Sequence, residues 1–197
     1  MSKQTKPIRR YGPTQWKGLP SPGGKYRWDL GDENIAMALG VLVVRFSHAE
    51  EHLIDILRIL IGSEDSGVAR QIFRSVAGDK ARLEIIRGLL ERTIRNAKRT
   101  RDFDDALKAF EVVKNKRNRF VHGLWYTHTA TNTVYLSDDL KYDLPIMQGK
   151  SVTAADVEAV VKEIMAVEKQ LRKVFQEEQM AMVERAENAA AQQPPSG

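Results

Sequence analysis

Cysteine is absent from the 197 residues. Its absence removes a disulfide framework, a thiolate metal centre and a cysteine nucleophile, and fits a reducing compartment. Long apolar runs are missing as well. The longest, Ile35 to Val44, covers ten residues, with Asp32 and Glu33 before it and Arg45 after it. A bilayer-spanning helix needs about twenty. No clean basic segment leads into that run and no small-residue cleavage site follows it, so a secretory signal is not expected. The expectation is a cytoplasmic protein with no membrane contact. Gly-rich phosphate loops, a G-x-S-x-G nucleophile elbow, dinucleotide fingerprints and solenoid-period repeats are also lacking.

What is present is enough apolar side chain, 42%, to bury the core of one domain with tails. The net charge of +5 is unevenly spread. Residues 1–30 carry +6, 31–67 carry −5, 68–119 carry +8 and 120–197 carry −4. A concentrated positive segment attracts a polyanion such as RNA by a screened, salt-dependent force, although exposed helix faces rich in arginine produce the same profile.

The first thirty residues hold Pro7, Pro13, Pro20, Pro22 and Gly23-Gly24, which cannot sustain a long helix. Tyr11, Trp16, Tyr26 and Trp28 lie among basic residues there. Residues 1–31 therefore read as a basic, aromatic arm, better suited to packing on the domain or a partner than to stacking on bases.

From Asp32 the pattern becomes helical. Ile35, Leu39, Leu42, Phe46, Ala49, Leu53, Leu57 and Leu60 recur at three and four and line one face, with Asp32 as N-cap and Gly62 as stop. A short helix is predicted over Ser66 to Val76, and a third from Asp79, acting as its cap, to about Arg95. A fourth begins near Asp102, carries Phe103, Ala106, Leu107, Phe110 and Val113, and ends at Gly123. Two β-prone runs around Ala130-Thr131-Asn132 predict a small hairpin. Thr153 opens a last helix through Val157, Val160, Val161, Ile164, Val167, Leu171 and Phe175, fraying after Met182. The fold class is thus all-α: an antiparallel bundle of about five helices over residues 32–185, with a β-hairpin insertion and a disordered tail at 186–197.

The chemistry gathers at the end of the fourth helix. At 100° per residue Arg117 returns to the stripe of Phe103, Phe110 and Val113, where a guanidinium needs an acceptor or an anion. Asn118 and His122, four apart, are neighbours on one face, so the amide could orient the imidazole. A fixed cation, an orienting amide and a titratable base suit phosphodiester cleavage, His122 moving a proton and Arg117 stabilising phosphate charge. Glu50, on the flank of the first helix's apolar face, is a candidate partner that sets Arg117 in place. The same residues also read as packing elements, Arg117 paired with a core acid and His122 satisfying carbonyls at a helix C-terminus.

The run Arg117-Asn118-Arg119-Phe120-Val121-His122-Gly123, at the end of an amphipathic helix, resembles the R-x4-6-H motif of the HEPN superfamily. The resemblance covers residues 32–180 in architecture and seven residues in motif. It implies an endoribonuclease, often a toxin or defence effector, needing neither metal nor cofactor. In that family the RNA 2′-hydroxyl attacks the neighbouring phosphate, and two protomers form a composite site. Carried over, Arg117 contacts the scissile phosphate, His122 is the general acid/base and Asn118 supports both. An antitoxin or regulatory protein is an implied partner beside RNA and a second copy of the chain. Some members are silenced by modification of a tyrosine two residues after the histidine; Leu124 stands there, so that control is not implied. A non-catalytic HEPN-like bundle binding a protein or nucleotide is the alternative.

His48-Ala49-Glu50-Glu51-His52 also spells H-x-x-E-H, an inverted zinc-protease pattern. Both histidines fall well off the centre of the apolar face, and no third ligand is identifiable.

Overall fold

A computed structural model describes residues 24–137 and 149–191. The described residues divide into two compact units, a helical one formed by residues 37–122 and 154–191, and a smaller one formed by residues 24–36, 123–137 and 149–153.

The helical unit contains α1 (Glu33–Leu60) from Met37 onward, α2 (Ser66–Ser75), α3 (Asp79–Thr93), α4 (Ala97–His122) and α5 (Ala154–Ala191). α1 starts where Asp32 says it should: the Asp32 carboxylate accepts from the backbone N–H groups of Asn34 and Ile35, at 2.8 and 3.2 Å, covering two donors that have no partner inside the helix. It stops before Gly62, whose φ of +64° lies in the left-handed region. The buried seam is Ile35, Ala38, Leu42, Phe46, Ala49, Leu53 and Leu57, with Leu39 only half-buried. Because Ile35 to Val44 is apolar on every side, the outer face of its turns leaves Met37, Val41 and Val44 exposed.

Asp79 does not cap α3. Gly78 occupies the cap position without a side-chain bond, and the Asp79 carboxylate instead accepts from Arg82 Nη1 at 3.1 Å. α4 begins five residues before the expected Asp102, because Asn96 Oδ1 accepts from the Arg99 N–H at 3.1 Å and starts the helix there. It packs chiefly on α5 and also on α3, burying Phe103, Ala106, Leu107, Phe110, Val113 and Phe120. The Phe46 and Phe110 rings stack at 5.2 Å and join α1 to α4.

α5 runs past Met182 to Ala191. Nothing in Val183–Ala191 breaks a helix, since this stretch holds only helix-compatible Ala, Glu, Arg, Val and Asn. Its seam continues through Val167, Leu171, Val174, Glu178 and Ala181, so Val174 rather than Phe175 takes the inward position. Residues 192–197 of the expected tail lie outside the described residues.

The smaller unit is a four-stranded antiparallel sheet in the order β1 (Tyr26–Arg27), β2 (Leu124–His128), β3 (Val134–Ser137), β4 (Lys150–Ser151). The expected hairpin is β2–β3, with Trp125 opposite Leu136 and Tyr126 opposite Tyr135, and Asn132 takes the left-handed conformation in its turn. Two additional strands flank it. Of the expected arm, Tyr26–Arg27 pair into the sheet as β1: Tyr26 meets Tyr126 edge-on at 5.4 Å and Trp28 packs near the same ring at 6.1 Å. Pro7, Tyr11, Trp16 and the rest of the arm lie outside the described residues. Tyr126, fully buried, stacks on Tyr135 at 5.4 Å and accepts a hydrogen bond from the Gly149 N–H at 2.9 Å. No helix among the described residues is long and apolar enough to cross a membrane.

Candidate functional site

α4 stays helical through His122, so its last two turns fix where the motif residues project. Arg117 and Asn118 are half-buried, while Arg119 and His122 are exposed. Basic residues in a final helical turn, here Arg119 and His122, are favoured by the partial negative charge of the unsatisfied carbonyls.

Three contacts define Arg117. Its guanidinium carbon lies 5.1 Å from the centre of the Phe46 ring, a cation–π arrangement that leaves the edge of the guanidinium available for hydrogen bonds. Its Nη1 donates to Asn118 Oδ1 at 2.9 Å. Its Nε is buried and has no hydrogen-bond partner. Of the five N–H groups of this planar cation, one is thus spent on protein.

Asn118 therefore braces Arg117 rather than His122. His122 is held by no hydrogen bond or ion pair among the described residues, although at i+4 it lies within reach of the amide. Within the helix Arg117 and His122 are about 140° apart around the axis and about 7.5 Å apart along it. One chain thus presents its cation and its imidazole on different sides of one helix end.

Glu50 is brought near but not into contact. It makes no ion pair with Arg117; burial first, and then the neighbouring Asp79 carboxylate, push its carboxyl above the ordinary range, while Arg117 and Arg82 pull it back. The expected Glu50–Arg117 pairing is replaced by the Asn118 bond and the Phe46 ring. Lys116, one residue before, is tied to Glu163 of α5 at 2.7 Å.

The H-x-x-E-H run does not converge. His48 lies 3.8 Å from Glu168 and His52 lies 3.9 Å from Asp55, while Glu51 is bound to Arg70 at 2.9 Å. Among the described residues no three His, Asp or Glu side chains gather as metal ligands.

A second charged cluster was not expected from the sequence. Glu178, 1% exposed on the α5 seam, receives Arg99 Nη1 on Oε2 at 3.2 Å and Arg185 Nη2 on Oε1. The available signal was periodicity: Leu171, Val174, Glu178 and Ala181 continue an apolar seam, and an acid at such a position calls for cations from neighbouring turns. Compared with known proteins, the chain matches no family model, no curated protein and no solved structure.

Proposed function

We propose that this chain is a metal-independent endoribonuclease of HEPN type, acting in the cytoplasm as a homodimer, in the role of a toxin or defence effector. The observation that carries the reading is Arg117: a half-buried guanidinium braced by Asn118 and Phe46 that spends only one N–H on the described residues, on the same helix end as an exposed histidine. Arg117 would hold the scissile phosphate and stabilise the charge that grows on its oxygens. His122 would take the proton of the attacking 2′-hydroxyl or return one to the leaving 5′-oxygen. The product is a 2′,3′-cyclic phosphate.

The angular separation of Arg117 and His122 favours a composite site, in which the arginine of one protomer and the histidine of the other flank one phosphate. A two-fold axis near the C-terminal ends of two α4 helices would build two such sites.

A second reading has its own support. Arg117 is half-buried with its Nε sealed from solvent, so its contact with Phe46 also fits a bundle that keeps the arginine for packing and binds a protein or nucleotide, an antitoxin or regulator among them. RNA incubated in EDTA with wild type, Arg117→Ala and His122→Ala separates the two. Cleavage by wild type alone, with cyclic phosphate ends, supports the nuclease; no cleavage by any of them favours the binder. Mixing the two inactive variants tests the composite site. Half of the dimers are then mixed and half of their sites intact, so about a quarter of the activity returns, whereas sites confined to one chain recover none.

A further inference from the structure

The opposite end of α4 carries a cleft of about 350 Å3 lined by Thr93, Ile94, Arg95, Asn96, Arg99 and Arg185. We propose that it binds the phosphate backbone of single-stranded RNA, as an anchor separate from the Arg117 and His122 site. The polymer's identity rests on the nuclease reading; the cleft's chemistry does not.

Charge is the first argument. Glu178, 1% exposed, offers its two oxygens to Arg99 and Arg185, so one buried carboxylate holds two guanidinium groups in fixed positions. Arg185 is further held by its Nε, which donates to the Ala181 carbonyl at 2.9 Å. The cluster keeps one net positive charge, and Arg95 adds another. Each arginine has five donors; Arg99 spends one side-chain donor on protein, Arg185 two, and Arg95 none among the described residues. Pre-set guanidinium forks with spare N–H groups match phosphate oxygens and have already lost part of the rotamer freedom that binding would cost.

Shape and surroundings select the ligand. Among the described residues no aromatic side chain lines the cleft, and the one aliphatic residue there, Ile94, is 5% exposed. A site without a stacking surface grips the sugar–phosphate chain rather than the base. The segment that supplies most of the lining is a basic track in the sequence, since residues 92–101 contain Arg92, Arg95, Lys98, Arg99 and Arg101 and no acid. Such a track suits a polymer with regularly spaced charges better than a single anion. Arg99 and Arg117 lie eighteen residues apart on α4, about 27 Å along the axis. At about 3.4 Å per phosphate in a stacked strand, about eight nucleotides would span that distance.

Arg95 is the residue to test, because it is exposed and holds no other side chain among the described residues, whereas losing Arg99 would strip a partner from buried Glu178. Fluorescence anisotropy with a labelled sixteen-nucleotide RNA, on full-length His122→Ala to prevent cleavage, measures affinity at two salt concentrations. Arg95→Glu should weaken binding by about five- to tenfold and lower the log–log salt slope by about 0.7 or more. Lys80→Glu, a charge reversal at another exposed position, should leave both near the parent. Inorganic phosphate and a nucleoside triphosphate should compete only at concentrations far above the RNA.

Equal effects of Arg95→Glu and Lys80→Glu, or no effect of Arg95→Glu, would overturn the proposal, and so would a triphosphate that binds as tightly as RNA. The two readings fail separately. RNA that binds through Arg95 but is not cut by wild type removes the nuclease and keeps the anchor. RNA that is cut by wild type but bound equally by Arg95→Glu does the reverse.

Discussion

Replacing Asn118 by alanine removes the acceptor of the Arg117 Nη1 bond and leaves that donor, beside the already orphaned Nε, without protein partners. A hydrogen bond to a charged group is worth about 1.5–3 kcal/mol when shielded. Asn118 and Arg117 are half-buried, so water replaces part of it and the expected loss is about 1 kcal/mol. Alanine also forms helix better than asparagine, which works in the opposite direction. Asn115→Ala isolates that gain, because Asn115 is on the same helix, exposed, and without a described side-chain contact. For a domain of this size about 1 kcal/mol corresponds to about 2–4 °C in Tm. Thermal unfolding followed by far-UV circular dichroism should therefore place Asn118→Ala about 2–4 °C below Asn115→Ala. If the guanidinium is the group that grips phosphate, RNA cleavage by Asn118→Ala falls about 10- to 100-fold while Asn115→Ala cleaves normally. Equal melting temperatures for the two variants would show that the amide does not brace the arginine, and the account of Arg117 would collapse.

Other expectations follow from single contacts. The Glu50 carboxyl is held above its ordinary value near 4.5, so as pH rises through this range the folded state keeps a proton that the unfolded chain has released, and stability declines. Glu50→Gln should match wild type below about pH 4 and melt higher at pH 7, as a Tm series across pH would record; an unchanged gap contradicts the burial argument. A Cβ on Gly149 would lie 2.2 Å from the Tyr126 hydroxyl oxygen and 3.1 Å from the Leu136 carbonyl oxygen. Gly149→Ala should therefore cost about 1–3 kcal/mol by denaturant titration, and a neutral result would mean the sheet yields there. Phe110, 2% exposed and stacked on Phe46, should cost about 3–5 kcal/mol when cut to alanine; a loss under about 1 kcal/mol would place the aromatic pair outside the working core.

The helices, their order and the location of Arg117, Asn118 and His122 at one helix terminus were legible in the chain, because period, caps and stops are local. Asp32 meets the amides two and three residues ahead, and Gly62 accepts a backbone angle that its neighbours resist. Such signals act within a turn or two and need no knowledge of distant residues. Where two such signals compete, the nearer hydrophobic pattern does not decide: Asp102 precedes the apolar stripe, yet Asn96 caps α4 and starts it five residues earlier, at Ala97.

Tertiary structure decided the rest. The strands Tyr26–Arg27 and Lys150–Ser151 are two residues each and carry no pattern of their own; they exist because β2 and β3 offer unpaired edges. Asn118 could reach either Arg117 or His122 along the helix, and the choice followed from Phe46 of α1 fixing the guanidinium beside it. Glu50 lost its expected partner for the same reason. The clamp on Glu178 joins residues 79 apart. Local sequence carries the energy of turns and caps, whereas the meeting of side chains from separate helices depends on how those helices pack, which no local window contains.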